Sequence, residues 1–322
     1  MTYAFDPELA PLVELLPAGD LADVTTARAA ISALIDPLNE HVDTTGVVVT
    51  DHDIPGDDGV VPVRVYAPAA PPPPGGRPAL LDIHGGGFVL GSIDMEHAFA
   101  TQLACEIGAV VVTPDYRLAP EHPFPAGLDD CYATLRWLHD RADDLGVDSE
   151  RIGVGGQSAG GGLAAATALL ARDRGGPALC FQFLGIPELD YRLETTSMRT
   201  FVDTPLWHRS NAELSWQYYL GGSTTDVSPY ASPAIAPDLR GLPPAYVTTM
   251  EFDPLRDEGI GYALRMMEAG VSVELHSFPG TFHGSAMIPI AAVSRRAHVE
   301  LIESLRRGLG ADRSSPEQRA QA

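Results

Sequence analysis

The chain contains no lysine, so all 21 of its fixed side-chain cations are arginines, set against 43 aspartates and glutamates for a net charge of −22. Sequence-independent binding to nucleic acid draws its affinity from neutralised phosphates, and a surface this short of cations excludes that partner. Cysteine is scarce as well. Cys105, Cys131 and Cys180 form an odd set without C-x-x-C spacing, so neither a disulfide framework nor a zinc knuckle is indicated, and they read as buried free thiols. No apolar run is long enough for a bilayer: the most apolar stretch, Gly160 to Ala171, falls well short of the roughly 20 residues a spanning helix needs. The opening residues MTYAFDPELAPLVELL lack a basic leader region, and a cytoplasmic, soluble protein is expected. No repeat of fixed period is visible, which removes solenoids and propellers.

What is present is the composition of a folded globular protein. Hydrophobic residues make up 45% and charged residues 20% of 322, enough for two domains or one large α/β domain. In Ala67 to Pro78 every second residue on average is proline, which cannot donate to a strand ladder, so this is a turn or edge loop. Short β-branched runs then alternate with helical patterns. Strands are expected at 46–50, 60–66, 79–83, 109–113, 151–155, 178–184, 245–250 and 271–277, and from the third onward they read as apolar runs covered on both faces. Helices are expected at 95–107, 126–145, 158–172, 254–269 and 289–308. This βαβα order predicts an α/β fold built on a mostly parallel, doubly wound sheet of eight strands flanked by helices.

Two helical stretches break the alternation. The first, Pro7 to Leu38, carries an apolar stripe at Ala27, Ile31, Leu34, Ile35 and Leu38; the second, Pro187 to Gly222, follows the sixth strand and includes LWHRSNAELSWQYYL. An insertion at the C-terminal edge of such a sheet overhangs the place where open α/β folds bind ligands, so the two segments are expected to form a helical cap. The implied divisions are an N-terminal cap segment at 1–45, core at 46–186, cap insertion at 187–222, core at 223–310 and a frayed polar tail at 311–322. Trp207, Trp216, Tyr218 and Tyr219 would either line a ligand pocket or form the cap's own core.

The sharpest motif is Gly156-Gln157-Ser158-Ala159-Gly160, between an apolar strand and an alanine-rich helix. A sharp strand-to-helix reversal that exposes a strained serine needs glycine on both sides, because a Cβ there would clash. The serine then lies at a helix N-terminus, where backbone N–H groups favour an anion. Upstream, His84-Gly85-Gly86-Gly87-Phe88 follows the strand ALLDI, and consecutive glycines let two amides aim at one point, which suits an oxyanion hole. A dinucleotide fingerprint fits poorly, since serine holds its last position, and a P-loop is excluded for want of lysine.

A serine hydroxyl is a poor nucleophile at neutral pH and needs a base, which needs an orienting carboxylate. Of the C-terminal histidines, His276 falls in a strand and His298 in an amphipathic helix; His283, in Pro279-Gly-Thr-Phe-His-Gly284, is free to reach over the sheet edge. Asp253 ends the strand AYVTTMEF and is the best placed acid, although Asp before Pro254 is also an ordinary helix start. Glu251 and Asp257 are its competitors.

Taken together, His84-Gly-Gly-Gly-Phe88, Asp115-Tyr-Arg-Leu-Ala-Pro-Glu121, Gly156-Gln-Ser-Ala-Gly160, Asp253-Pro-Leu-Arg-Asp257 and His283-Gly284 resemble the bacterial hormone-sensitive-lipase family of α/β-hydrolase esterases, over about Val60 to Gly308. The resemblance implies oxyanion-hole amides from Gly86, Gly87 and Ala159, catalysis by Ser158, Asp253 and His283, no cofactor or metal, and short to medium acyl esters as small-molecule substrates. Many members dimerise, so a homodimer is compatible with it. The 115–121 motif reads as support for the oxyanion loop, with Arg117 in a buried ion pair. Two departures, Gln157 where the family often has Asp or Thr and Ser285 where Phe is frequent, are expected to line the site and alter substrate preference. Amide, carbamate or lactone hydrolysis on the same triad is the alternative within enzymes. A non-catalytic binding protein, as in hydrolase-like plant hormone receptors, would be recognised by loss of the histidine, which is retained here.

Overall fold

The computed structural model describes residues 3–16 and 20–311. Eight strands form one sheet: β1 (Val47–Gly56), β2 (Gly59–Pro68), β3 (Arg77–Ile83), β4 (Val110–Pro114), β5 (Val147–Gln157), β6 (Phe181–Gly185), β7 (Ala245–Phe252) and β8 (Val273–Phe282). Their order across the sheet is β1-β2-β4-β3-β5-β6-β7-β8. β2 runs antiparallel to β1 and β4, and the remaining pairs are parallel. The helices are α1 (Val24–Asn39), α2 (His97–Ile107), α3 (Ala126–Asp140), α4 (Ala159–Arg174), α5 (Thr196–Thr200), α6 (Arg209–Tyr219), α7 (Arg256–Glu268) and α8 (Ala292–Gly308).

Successive strand side chains point to opposite faces, and each face has its own helices. Val61, Val63 and Val65 of β2, Ala79 and Leu81 of β3 and Val110 and Val112 of β4 pack with α3, α4 and α7. Their neighbours in sequence, Tyr66, Leu80 and Val111, pack on the other face with α2 and α8. With both faces covered, the central strands β3, β4 and β6 are buried along their length, which is why they read as apolar runs. The eight strands fall where the sequence predicts them, with ends displaced by up to six residues: β1 runs on to Gly56, β5 starts earlier, and β8 continues through the expected 279–282 loop to Phe282.

Several expectations are corrected. Within the stretch 7–38 the described residues form a 3-10 turn at Ala10–Leu15 and α1, and α1 buries no residue fully, less than its apolar stripe suggested. Leu34 and Leu38 of its apolar stripe are exposed, while Val24, Ala27 and Ile31 are half-buried. α3 stops at Asp140, where 141–146 turn back into β5, rather than at Leu145. Only Cys131 is a buried thiol; Cys105 is exposed and Cys180 half-buried. The expected frayed tail lies, beyond Ala311, outside the described residues.

Both segments outside the βαβ alternation meet over the loops at the C-terminal ends of the strands. Leu21, Val24, Ala27 and Ile31 share a cluster with Met198, Trp207 and Ala212, and with Val89 and Leu90 of the loop after β3. Polar contacts fix the same junction. Arg28 of α1 donates to the carbonyls of Val89 and Ala119 and forms a two-pronged pair with Glu121 at 2.8 Å. Glu258 of α7 accepts the N–H groups of Leu189 and Asp190, and Asp257 accepts that of Ser197, so α7 anchors the stretch after β6. No helix among the described residues is long and apolar enough to cross a membrane.

Candidate active site

Ser158 sits in the turn between β5 and α4 with φ of 58° and ψ of −125°, a conformation costly for a residue with a Cβ. Its backbone is held on both sides: its N–H donates to the Gly185 carbonyl, and its carbonyl accepts from Gly162 and Glu188. The flanking glycines have the steric cause expected from the sequence. A Cβ on Gly156 or Gly160 would run into the carbonyl oxygen of Ile83, at the end of β3. The turn therefore presses against the start of the 84–88 loop, and Gly85 lies against Ser158 itself.

The imidazole of His283 follows β8 directly. Its Nε2 lies 2.9 Å from Ser158 Oγ and its Nδ1 2.8 Å from Asp253 Oδ2. Asp253, after β7, is fully buried, and its second oxygen accepts the Leu255 N–H at 2.9 Å. Three side chains spread over 125 residues of sequence thus form one hydrogen-bonded line. The competing acids are elsewhere. Glu251 accepts the Gly280 N–H, and Asp257 is paired with Arg256 and the Ser197 N–H. His276 is bonded to Glu300 and His298 to Gln102, so neither joins the line.

Gly86 and Gly87 have φ of 115° and 59°, values that glycine adopts without a steric penalty. Among the described residues, no acceptor pairs with the N–H groups of Gly86, Gly87 or Ala159. His84 does not face the line: its Nδ1 lies 2.8 Å from the Gly85 carbonyl, and its ring stacks on Tyr116 with centroids 4.1 Å apart. Burial holds its pKa down at about 4, so it is neutral at pH 7. The 115–121 motif braces this loop, Tyr116 donating to the His84 carbonyl and Ala119 to that of Phe88. Arg117 pairs with buried Asp130 at 2.8 Å.

The aromatics of the 187–222 stretch divide. Trp207 closes over the site, its ring 5.8 Å from that of His283 and its edge 2.5 Å from where a Gly87 Cβ would stand. Trp216 and Tyr219 are core instead, packed on Phe88, with Tyr219 stacked at 4.0 Å. Ser285 is a correction: it does not line the site but is fully buried, accepting the Phe282 N–H and so holding the turn that carries His283. Gln157 is half-buried beside Ser158. Among the described residues no three of His, Cys, Asp and Glu converge to hold a metal ion.

Glu188 and Ser215 escaped the sequence reading. Glu188 is fully buried next to the nucleophile turn, and the one signal for it was an acidic residue directly after the apolar run FQFLGIP. Ser215, on a mixed helix face, carried none.

The chain is similar to known proteins over most of its length. A family model described as the alpha/beta hydrolase fold matches residues 80–287. Carboxylesterase NlhH of Mycobacterium tuberculosis is 43% identical over 246 residues, 74% of this chain and 76% of that protein. An arylesterase of Saccharolobus solfataricus is 33% identical over 308 residues, 88% and 95% of the two chains. Among solved structures, a bacterial heroin esterase superposes with a TM-score of 0.93 at 53% identity, covering 97% of this chain and 99% of its own. With its eight-stranded, mostly parallel sheet and these relatives, the chain belongs to the α/β-hydrolase fold family, among its hormone-sensitive-lipase-like carboxylic ester hydrolases.

Proposed function

We propose that the protein hydrolyses short- to medium-chain acyl esters by two-step acyl transfer, with Ser158 as nucleophile, His283 as base and Asp253 as the orienting acid. The observation that carries this reading is the line Ser158 Oγ, His283 and Asp253, with contacts of 2.9 and 2.8 Å. His283 Nε2 takes the hydroxyl proton as Ser158 attacks the ester carbonyl, then returns it to the departing alcohol. Water repeats the sequence on the acyl-enzyme. Asp253 fixes the Nδ1–H tautomer and stabilises the imidazolium, and the Leu255 N–H holds the carboxylate in that pose. The free N–H groups of Gly86, Gly87 and Ala159 receive the oxyanion, each donor worth about 100- to 1,000-fold in rate. The segments 1–45 and 187–222 act as a cap, and Trp207 bounds the acyl pocket at Gly87.

The heroin esterase likeness supports a short acyl group on a bulky alcohol. Initial rates over nitrophenyl esters from acetate to laurate test the reading. Rates peak at short to medium chains, vanish in Ser158→Ala, and move toward longer chains in Trp207→Ala. Near-wild-type turnover in Ser158→Ala overturns it.

A further inference from the structure

We propose that Glu188 is a positioning residue that stays a neutral carboxylic acid and sets the oxyanion loop through a hydrogen-bond chain from its carboxyl to Ser215 to the Gly87 carbonyl. The argument begins with counting protons. Ser215 Oγ lies 2.9 Å from the Gly87 carbonyl oxygen and 2.9 Å from Glu188 Oε1. The hydroxyl has one hydrogen and so donates to one of them. A carbonyl cannot donate in return; a carboxylic acid can. Both contacts are full two-centre hydrogen bonds only if Glu188 carries the proton, giving Glu188 O–H to Ser215 Oγ and Ser215 O–H to Gly87 O.

The surroundings favour the same state. Glu188 has no exposed surface, no cation pairs with it, and its Oε2 has no protein donor among the described residues. The titratable groups bearing on it are Asp253 after β7, Glu258 of α7, Tyr116 after β4 and Tyr219 of α6, all of them acids. Burial, with Asp253 adding to it, raises its pKa to about 8 against the Ser215 hydrogen bond, which lowers it.

The position matters as much as the charge. The Glu188 N–H donates to the Ser158 carbonyl at 3.1 Å, so one residue touches the nucleophile turn through its backbone and the oxyanion loop through its side chain. Ionisation would draw the Ser215 proton away from Gly87, leave that buried carbonyl unpaired and place a negative charge beside a site that must stabilise another. Turnover therefore falls as pH rises through about 8.

This inference rests on the reading of Gly86 and Gly87 as oxyanion donors, and the experiment separates the two. Values of kcat and KM are measured from pH 6 to 9.5 for wild type, Glu188→Gln, Glu188→Ala and Ser215→Ala, with Ser158→Ala as background. Gln donates like the neutral acid and cannot ionise, so it restores most of the pH 7 turnover that Ala loses, about 10- to 100-fold through a misplaced loop, and has no alkaline limb. Ser215→Ala lowers kcat about tenfold with KM nearly unchanged. An alkaline limb in Glu188→Gln matching wild type, a Gln variant as impaired as Ala, or undiminished kcat in Ser215→Ala overturns the inference. If Glu188→Gln does not fold, Ser215→Ala decides alone. Residual activity in Ser158→Ala instead overturns the function on which it rests.

Discussion

Asp253 and Asp257 stand four residues apart, yet the fold gives them separate tasks. Asp253 ends a buried strand and holds His283, whereas Asp257, one turn into α7, accepts the N–H of Ser197 and pairs with Arg256. Asp253→Asn keeps the shape but presents the wrong tautomer to His283, and kcat falls by about four orders of magnitude. Asp257→Asn keeps kcat within a few-fold and lowers stability by about 1 kcal/mol, read from denaturant midpoints. The reverse pattern would move the acid. These residues were legible because each stands at a strand end inside a motif whose spacing has a steric or chemical cause. Glu188 was not, because its side-chain partner, Ser215 of α6, lies 27 residues on in the chain, and nothing local in PELDY announces that contact.

At the scale of elements, α1 is held by one arginine more than by its apolar face. It buries no residue fully, and Leu34 and Leu38 face solvent, but Arg28 reaches two loop carbonyls and Glu121. The Glu121 side is more than half exposed and contributes little, so the carbonyl bonds carry the attachment. Arg28→Ala costs about 1–2 kcal/mol, and limited proteolysis then cuts α1 ahead of the sheet; unchanged cleavage would contradict this anchoring. Helical spacing predicted α1 and overstated its burial, since a periodic stripe shows which face is apolar, not how much of it finds a partner. The strands were read better, because burial on both faces leaves a composition that no exposed segment shares. Ends were the weak point: pairing with β7 stops at Phe278, skips Pro279 and Gly280 as an irregularity and resumes at Phe282, so a tertiary contact beyond the two breaking residues keeps β8 extended.

The whole molecule hides acids in its interior as well as displaying them outside. Burial pushes Asp82, with Glu96 beside it, and Glu258 well above the carboxylate range, and Glu188 to about 8. Above their ordinary values near 4 the unfolded chain releases these protons while the folded one keeps them. Their contribution to stability is thus complete only below about pH 4 and is lost progressively as pH rises from there to the raised values. Asp51, held below the usual range by Arg64, acts oppositely and loses its contribution as pH falls through its folded value. Stability therefore peaks in mild acid, and Tm at pH 5.5 exceeds Tm at pH 8.5, with a smaller fall in Glu188→Gln. A Tm that rises between those pH values would contradict the buried neutral acids.

The most direct test of the whole account is the covalent one. Incubation with a stoichiometric organophosphate, followed by intact-mass and peptide mass spectrometry, should find a single adduct, on Ser158, rising in step with loss of esterase activity and absent from Ser158→Ala. An adduct on another residue that abolishes activity, or full inhibition with Ser158 unmodified, would contradict the assignment of the nucleophile.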